Sequence, residues 1–210
     1  MAWTTPGTAT AGEVLTAAFW NTNVRDNSIM GSPVYANEAD RNAAIPAPSE
    51  GMQVYLTAPT EPSATGMTIT GIRQIYDGAG WTTVSLLSGI VATTEACSSA
   101  TYVDLATVGP VVTIRTGTSA LVTVSATIDT QGANRGGTMS FAVSGATTIA
   151  ALDANSVFAY SLDGDVYVAV SRTYLLTGLT AGVNTFTAKY KQQGGNVNFL
   201  RRSLSITGAA

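Results

Sequence analysis

The sequence has no histidine, one cysteine and few charges, with ten Lys and Arg and thirteen Asp and Glu among 210 residues. Without histidine there is no Ser-His-Asp hydrolase, no histidine-ligated zinc and no imidazole acid-base catalyst, which removes the commonest ways to build an active site. Cys97 has no partner for an internal disulfide and lies in the polar run Ala96-Cys97-Ser98-Ser99, so the expectation is a small, buried or half-buried structural residue. A net charge of −3 with so few Lys and Arg argues against nucleic acid as a partner, because phosphate binding needs clustered cations. No run of about 18 apolar residues is present, so no membrane-spanning helix is expected. The first residues lack the basic and apolar regions of a secretory signal. Charged residues make up 11% of the chain and hydrophobic ones 45%. A surface so poor in charge and rich in hydroxyls suits packed assemblies and strand-rich appendages.

The chain contains one stretch with helical character. Thr10 and Glu13 have capping-box spacing. Ala17, Trp20 and Val24 then share a face, with Leu15 and Phe19 on the adjoining ridge, before Gly31-Ser32-Pro33 ends the pattern. A helix of about four turns is marginal alone, since its stability comes mostly from packing its apolar face. Leu15, Phe19, Trp20 and Val24 are therefore expected to attach this segment to another chain, a copy of itself or a different protein. A lid across its own sheet is the alternative.

Met1-Ala-Trp-Thr-Thr-Pro6, Thr10-Ala-Gly-Glu-Val-Leu-Thr-Ala-Ala18 and Asn21-Thr-Asn-Val-Arg-Asp-Asn27 together resemble the opening of tailed-bacteriophage structural proteins, the tail-fibre, head-fibre and minor tail proteins. The resemblance implies a virion component assembled in the host cytoplasm, with the opening joined to capsid or tail proteins.

Residues 32–89 hold five of the seven prolines, interleaved with short strand-like pieces: Val34–Ala36, Gln53–Leu56, Met67–Thr70, Arg73–Tyr76 and Trp81–Ser85. Asp77-Gly-Ala-Gly80 has hairpin-turn chemistry, and Asp40–Ile45 suits one helical turn before Pro46. Pieces this short do not make a core alone, so wrapping of several copies is expected to stabilise them. Arg41–Pro46, Glu50–Leu56 and Tyr76–Trp81 resemble a collar module of phage fibre proteins that is usually trimeric, which implies a homotrimer. A plain β-rich linker is the other reading.

From about residue 90 apolar and polar residues alternate. Val122, Val124, Ala126 and Ile128 form one such set, and Met139, Phe141 and Val143 another. Phe186, Ala188 and Tyr190 form a third, with Leu204 and Ile206 a fourth. Further strands are expected at Tyr102–Leu105, Val111–Arg115, Val157–Tyr160, Val166–Leu176 and Val197–Arg201. The fold class is thus mainly β, with three parts. A short N-terminal helix segment (1–31) is followed by a small β collar (32–89) and an antiparallel, jelly-roll-like β-sandwich (90–210).

Candidate sites are sparse. Asp163-Gly-Asp165 with Asp153 has the oxygen donors of a calcium loop, but too few for a recognised motif, so a solvated turn is expected and no metal or cofactor is assigned. Asp104, Asp153, Asp163 and Asp165 include no pair with glycosidase spacing, so no enzyme is expected. Tyr160, Tyr167, Tyr174 and Arg172 suit a host-surface glycan, although alternation puts Arg172 and Tyr174 on the strand face of Val168 and Val170, as core or subunit-interface residues. Arg201-Arg202 is expected to meet an acid on a neighbouring chain.

Overall fold

The computed structural model describes residues 32–209, so the calls on Leu15, Phe19, Trp20 and Val24 and on the N-terminal helix lie outside the described residues. The described residues begin with β1 (Val34–Tyr35), α1 (Glu38–Ala44), β2 (Gln53–Leu56), β3 (Ser63–Ala64), β4 (Ile72–Tyr76) and β5 (Trp81–Thr83). It continues with β6 (Leu87–Val91), β7 (Glu95–Cys97), β8 (Val111–Thr116), β9 (Ser119–Asp129) and β10 (Arg135–Gly145). A 3-10 turn at Asp153–Asn155 leads to β11 (Val157–Ser161), β12 (Tyr167–Thr177), β13 (Gly182–Gln193) and β14 (Val197–Ala209).

The pairings define a jelly roll. Among the eight main strands β6 and β8 to β14, the first pairs with the last, β6 with β14. The second pairs with the seventh, β8 with β13, the third with the sixth, β9 with β12, and the fourth with the fifth, β10 with β11. All four pairs are antiparallel, the two-Greek-key arrangement. They form two sheets, one ordered β11-β10-β13-β8-β3 and the other β12-β9-β14-β6, with β7 also beside β14. Alternation places the core as the sequence implies: Val122, Val124, Ile128, Met139, Phe141, Phe186, Tyr190, Leu204 and Ile206 are fully buried between the sheets.

The strand expected at Met67–Thr70 is not formed; Met67 makes only an isolated bridge to Ala64, and Val103 likewise a single bridge to Tyr190. The strands expected at Val197–Arg201 and around Leu204 are one strand, β14. A bulge between Leu200 and Ser203, with Arg201 at φ 47, shifts its register midway.

The small sheet β1-β2-β4-β5 is completed within the chain. Val54, Leu56, Ile72 and Trp81 belong to the same hydrophobic cluster as Val112 and Ile114 of the sandwich. β3 crosses over to pair with β8, which ties the collar region to the large sheet. Asn37 caps α1, its side chain accepting from the Asp40 amide at 3.1 Å. Arg41 on α1 is buried, hydrogen-bonded to Gln74, and its guanidinium lies 4.8 Å from the Trp81 ring centroid. Opposite, Glu38 accepts from the Thr60 amide at 2.9 Å and the Thr60 hydroxyl at 2.7 Å. Burial pushes its carboxyl upward, but these bonds outweigh burial and hold it below the usual range. The expectation that the short strands need other copies for their core is thereby corrected.

Candidate functional site

The outer face of the β11-β10-β13-β8-β3 sheet carries a cleft of about 240 Å³. The chain after β10 folds back along it: Val143 and Ile149 exchange backbone hydrogen bonds, and the Ser140 hydroxyl donates to the Leu152 carbonyl at 2.8 Å. This anchorage sets the 3-10 turn so that the Asp153 carboxylate meets Lys191 Nζ at 2.6 Å and accepts from the Tyr102 hydroxyl at 2.8 Å. Lys191 Nζ also lies 5.0 Å from the Tyr102 ring centroid. The Lys191 ammonium, then the Tyr102 hydroxyl, holds the Asp153 carboxyl below its usual range, while burial pushes the Tyr102 phenol far up. Neither is poised for proton transfer near neutral pH.

Thr138, Phe158, Lys191 and Gln193 line the same cleft. Phe158 is 68% exposed, an open ring beside the hydroxyl, amide and charge pair of the cleft. Residues 102, 153, 158 and 191 lie on separate strands and loops, and sequence reasoning singled out only Asp153. The exposed Phe158 could have been read from the alternation of β11, where Val157 and Ala159 point inward.

The four candidate sugar residues are not brought together. Tyr160 stands on the outer face of β11, and Tyr167 on the outer face of the other sheet. Between the sheets, the Arg172 guanidinium stacks 4.5 Å from the Tyr174 ring centroid, and the Tyr174 hydroxyl donates to the Ser156 carbonyl. Asp163 and Asp165 sit in the β11–β12 turn, away from Asp153, with Gly164 at φ 82. Among the described residues no group of three or more Asp, Glu or Cys is placed to hold a metal ion.

The expectation for Arg202 is corrected. The bulge turns it inward, where it is fully buried and pairs at 3.2 Å with Glu95 of its own chain. It also lies 5.3 Å from the Tyr190 ring centroid and donates to the Thr93 carbonyl at 3.2 Å. Its Nε and Nη1 have no hydrogen-bond partner. Glu95 in turn accepts from the Thr107 amide at 2.9 and 3.1 Å.

At the side of the sandwich, β11 and β12 are the outermost strands of their sheets. The seam between them is an open cleft of about 390 Å³ lined by Val157, Val170 and Arg172, among others. Leu175 and Leu121, directly opposite each other on β12 and β9, are 62% and 45% exposed.

No family model matches the chain, and no curated protein matches it significantly. Among solved structures it is similar to Eiger TNF from S. frugiperda, with 12% identity and a TM-score of 0.39 over 60% of this chain and 93% of that one. It is also similar to a chain of infectious bursal disease virus Gt strain, with 13% identity and a TM-score of 0.41 over 69% of this chain and 39% of the other. For the Gx strain of that virus the identity is 10% and the TM-score 0.32, over 65% and 41%. The chain thus spans about two fifths of the viral chains it matches. Likeness at this level carries no functional argument, and the jelly roll rests on the strand pairings themselves.

Proposed function

We propose that the protein is a structural component of a tailed-phage virion, a fibre, spike or decoration on capsid or tail. In this reading it is a homotrimer attached through residues 1–31, with Leu15, Phe19, Trp20 and Val24 on the attaching face. Its role is mechanical, with the jelly roll projecting and no chemistry performed. The observation that carries the reading is the phage-like opening, Met1 to Asn27, joined to a jelly-roll sandwich. Immunogold labelling of purified particles with antiserum to the protein tests it. Gold at regular positions on the capsid or tail is expected, and unlabelled particles would sink the reading.

The Phe158 cleft favours a second reading, recognition of host-surface glycan. Saturation-transfer NMR with glucose, galactose, N-acetylglucosamine and rhamnose is expected to show transfer that Phe158→Ala abolishes. No transfer from any of the four removes that reading and leaves the structural one standing.

A further inference from the structure

The two large sheets differ in charge on their outer faces. That of β10, β13 and β8 carries Arg115, Lys189 and Lys191, each paired with an acid. That of β6, β14, β9 and β12 presents Ser88, Ile90, Ser203, Ser205, Thr207, Leu121, Thr123, Ser125, Ser171, Thr173 and Leu175, and its only charges, Asp129 and Arg201, lie at one end. Its hydroxyls pair with one another across strands, Ser88 with Ser205 and Thr123 with Thr173, both at 2.8 Å. One sheet of the same molecule is thus built for water, and the other has no charge across most of its width.

β12 is left equally bare. It pairs with β9 along all eleven residues without a register shift, and its other edge has no strand beside it. Free edges are normally guarded by proline, lysine, a bulge, shortness or an inward-pointing charge; β12 has only the last, in Arg172, and is otherwise unguarded along its eleven residues. Its inward side is open too. Val168, Val170 and Tyr174 stand opposite Ile128, Ala126 and Val122. Those partners are buried, whereas the three β12 residues keep solvent exposure. On the opposite flank β3 pairs with β8, and the Thr65 carbonyl beside it accepts from the Ile90 amide of β6.

We infer that the uncharged outer face of the β6-β14-β9-β12 sheet and the β11–β12 edge are the two halves of one contact between copies of this chain, the edge of one packed on the face of the next. The inference rests on the proposed self-associating virion component and names its contact surface. A second copy fits because one molecule carries both complementary halves. Arg172, the lone charge of the β12 edge, would meet a face of hydroxyl oxygens that accept from it. Four strands about 4.8 Å apart and some seven residues long at about 3.4 Å each give a face of roughly 19 by 24 Å. That is about 460 Å² in plan, a little over half of the roughly 800 Å² per partner of a standard interface. Two different patches make a heterologous contact, which gives a ring where its rotation closes and an open filament where it does not; the proposed homotrimer requires the three-membered ring.

The test is light scattering with size exclusion on the full chain at micromolar concentration, beside Leu175→Glu, Ser205→Lys and, on the charged sheet, Thr187→Lys. The expected result is a trimer for the parent and for Thr187→Lys, and an association at least about 100-fold weaker for the other two, because an unpaired charge placed in an interface costs several kcal/mol. Circular dichroism unchanged from the parent shows that the variants fold. Amide exchange covers the case in which residues 1–31 alone hold copies together: the β12 amides on its open edge, not bonded to β9, are protected in the parent and exchange freely in Leu175→Glu. A parent trimer with both face variants trimeric and β12 exchange unchanged overturns the surface while leaving self-assembly intact. A monomeric parent overturns self-assembly and the surface with it.

Discussion

Arg202 offers the sharpest test of how the sandwich is held together. Its guanidinium is wholly buried, and its Glu95 partner sits at the rim with 12% of its side chain exposed. Two of the three guanidinium nitrogens, Nε and Nη1, have no partner. Glu95→Gln keeps the shape and an acceptor for the Thr107 amide but leaves the buried cation without its counter-ion. Breaking one side of a buried pair costs about 3 kcal/mol or more, which lowers Tm by roughly 6–12 °C in a domain of this size. Arg202→Met keeps the aliphatic bulk against Tyr190 and removes both orphan donors, while Glu95 retains the Thr107 amide and water. It is expected within about 1 kcal/mol of the parent, or more stable. The double variant should match Arg202→Met within about 0.5 kcal/mol, since the cost of Glu95→Gln exists only while the arginine is present. Urea denaturation followed by circular dichroism at one fixed protein concentration measures all four. If Glu95→Gln costs under about 1 kcal/mol, or Arg202→Met costs more than Glu95→Gln, the account of a charge kept in the core by its counter-ion is refuted.

Three further outcomes follow from local geometry. A Cβ at Gly137 would stand 2.6 Å from Val197 Cγ1 and 2.9 Å from Ile128 Cγ2; Gly137→Ala is therefore expected to lose about 1–3 kcal/mol by overpacking, and an unchanged urea midpoint would contradict the tight packing of the sheets. Burial outweighs the Ser99 carbonyl contact and pushes the Cys97 thiol up. Ellman's reagent should thus leave the native protein unlabelled at pH 8 and titrate one thiol in urea; labelling at similar rates in both would show the thiol to be open. Burial raises the Glu38 and Glu95 carboxyls, but hydrogen bonds from Thr60 and Thr107 outweigh it and hold both low. Their stabilisation is complete above the ordinary carboxyl value of about 4.3 and is lost as pH falls through their lower folded values. Tm is expected to be level from pH 5 to 8 and to fall below about pH 4, less steeply in Glu95→Gln; a decline beginning above pH 5 would rule these carboxylates out as its source.

Period-two alternation made the inner strands readable. Phe186 and Leu204 each sit between two polar neighbours in sequence and each proves buried, because a strand between two sheets has one dry side. The same rule reads β12 as half buried, with Arg172 and Tyr174 facing inward; they do face inward, but the edge position leaves that side open, and edge or centre is a property of strand order that no single strand encodes. Arg202 could not be read at all. In an unbroken alternation from Phe199 it would point outward, and only the bulge, set by pairing with β9, turns it into the core. The cleft around Asp153 joins residues 102, 153 and 191 through the folding back of the segment after β10, which leaves no local spacing to detect.

Pairing first strand with last and second with seventh sorts the connections by pole. Ala209, the Thr116–Ser119 turn and the residues around Gly182 gather next to β5, where Gly208 lies against the Thr83 carbonyl. The β9–β10, β11–β12 and β13–β14 turns gather at the opposite pole. Those distal turns are written in Gly, Asn and Asp, and Asn134, Gly164 and Gly194 already sit at positive φ. Lengthening such a turn costs only about 0.6 kcal/mol per doubling, so a foreign peptide spliced at Ala133, Gly164 or Gly195 would hang from the tip without unsettling a single rung below it. Those three turns are where the fold has room for added length.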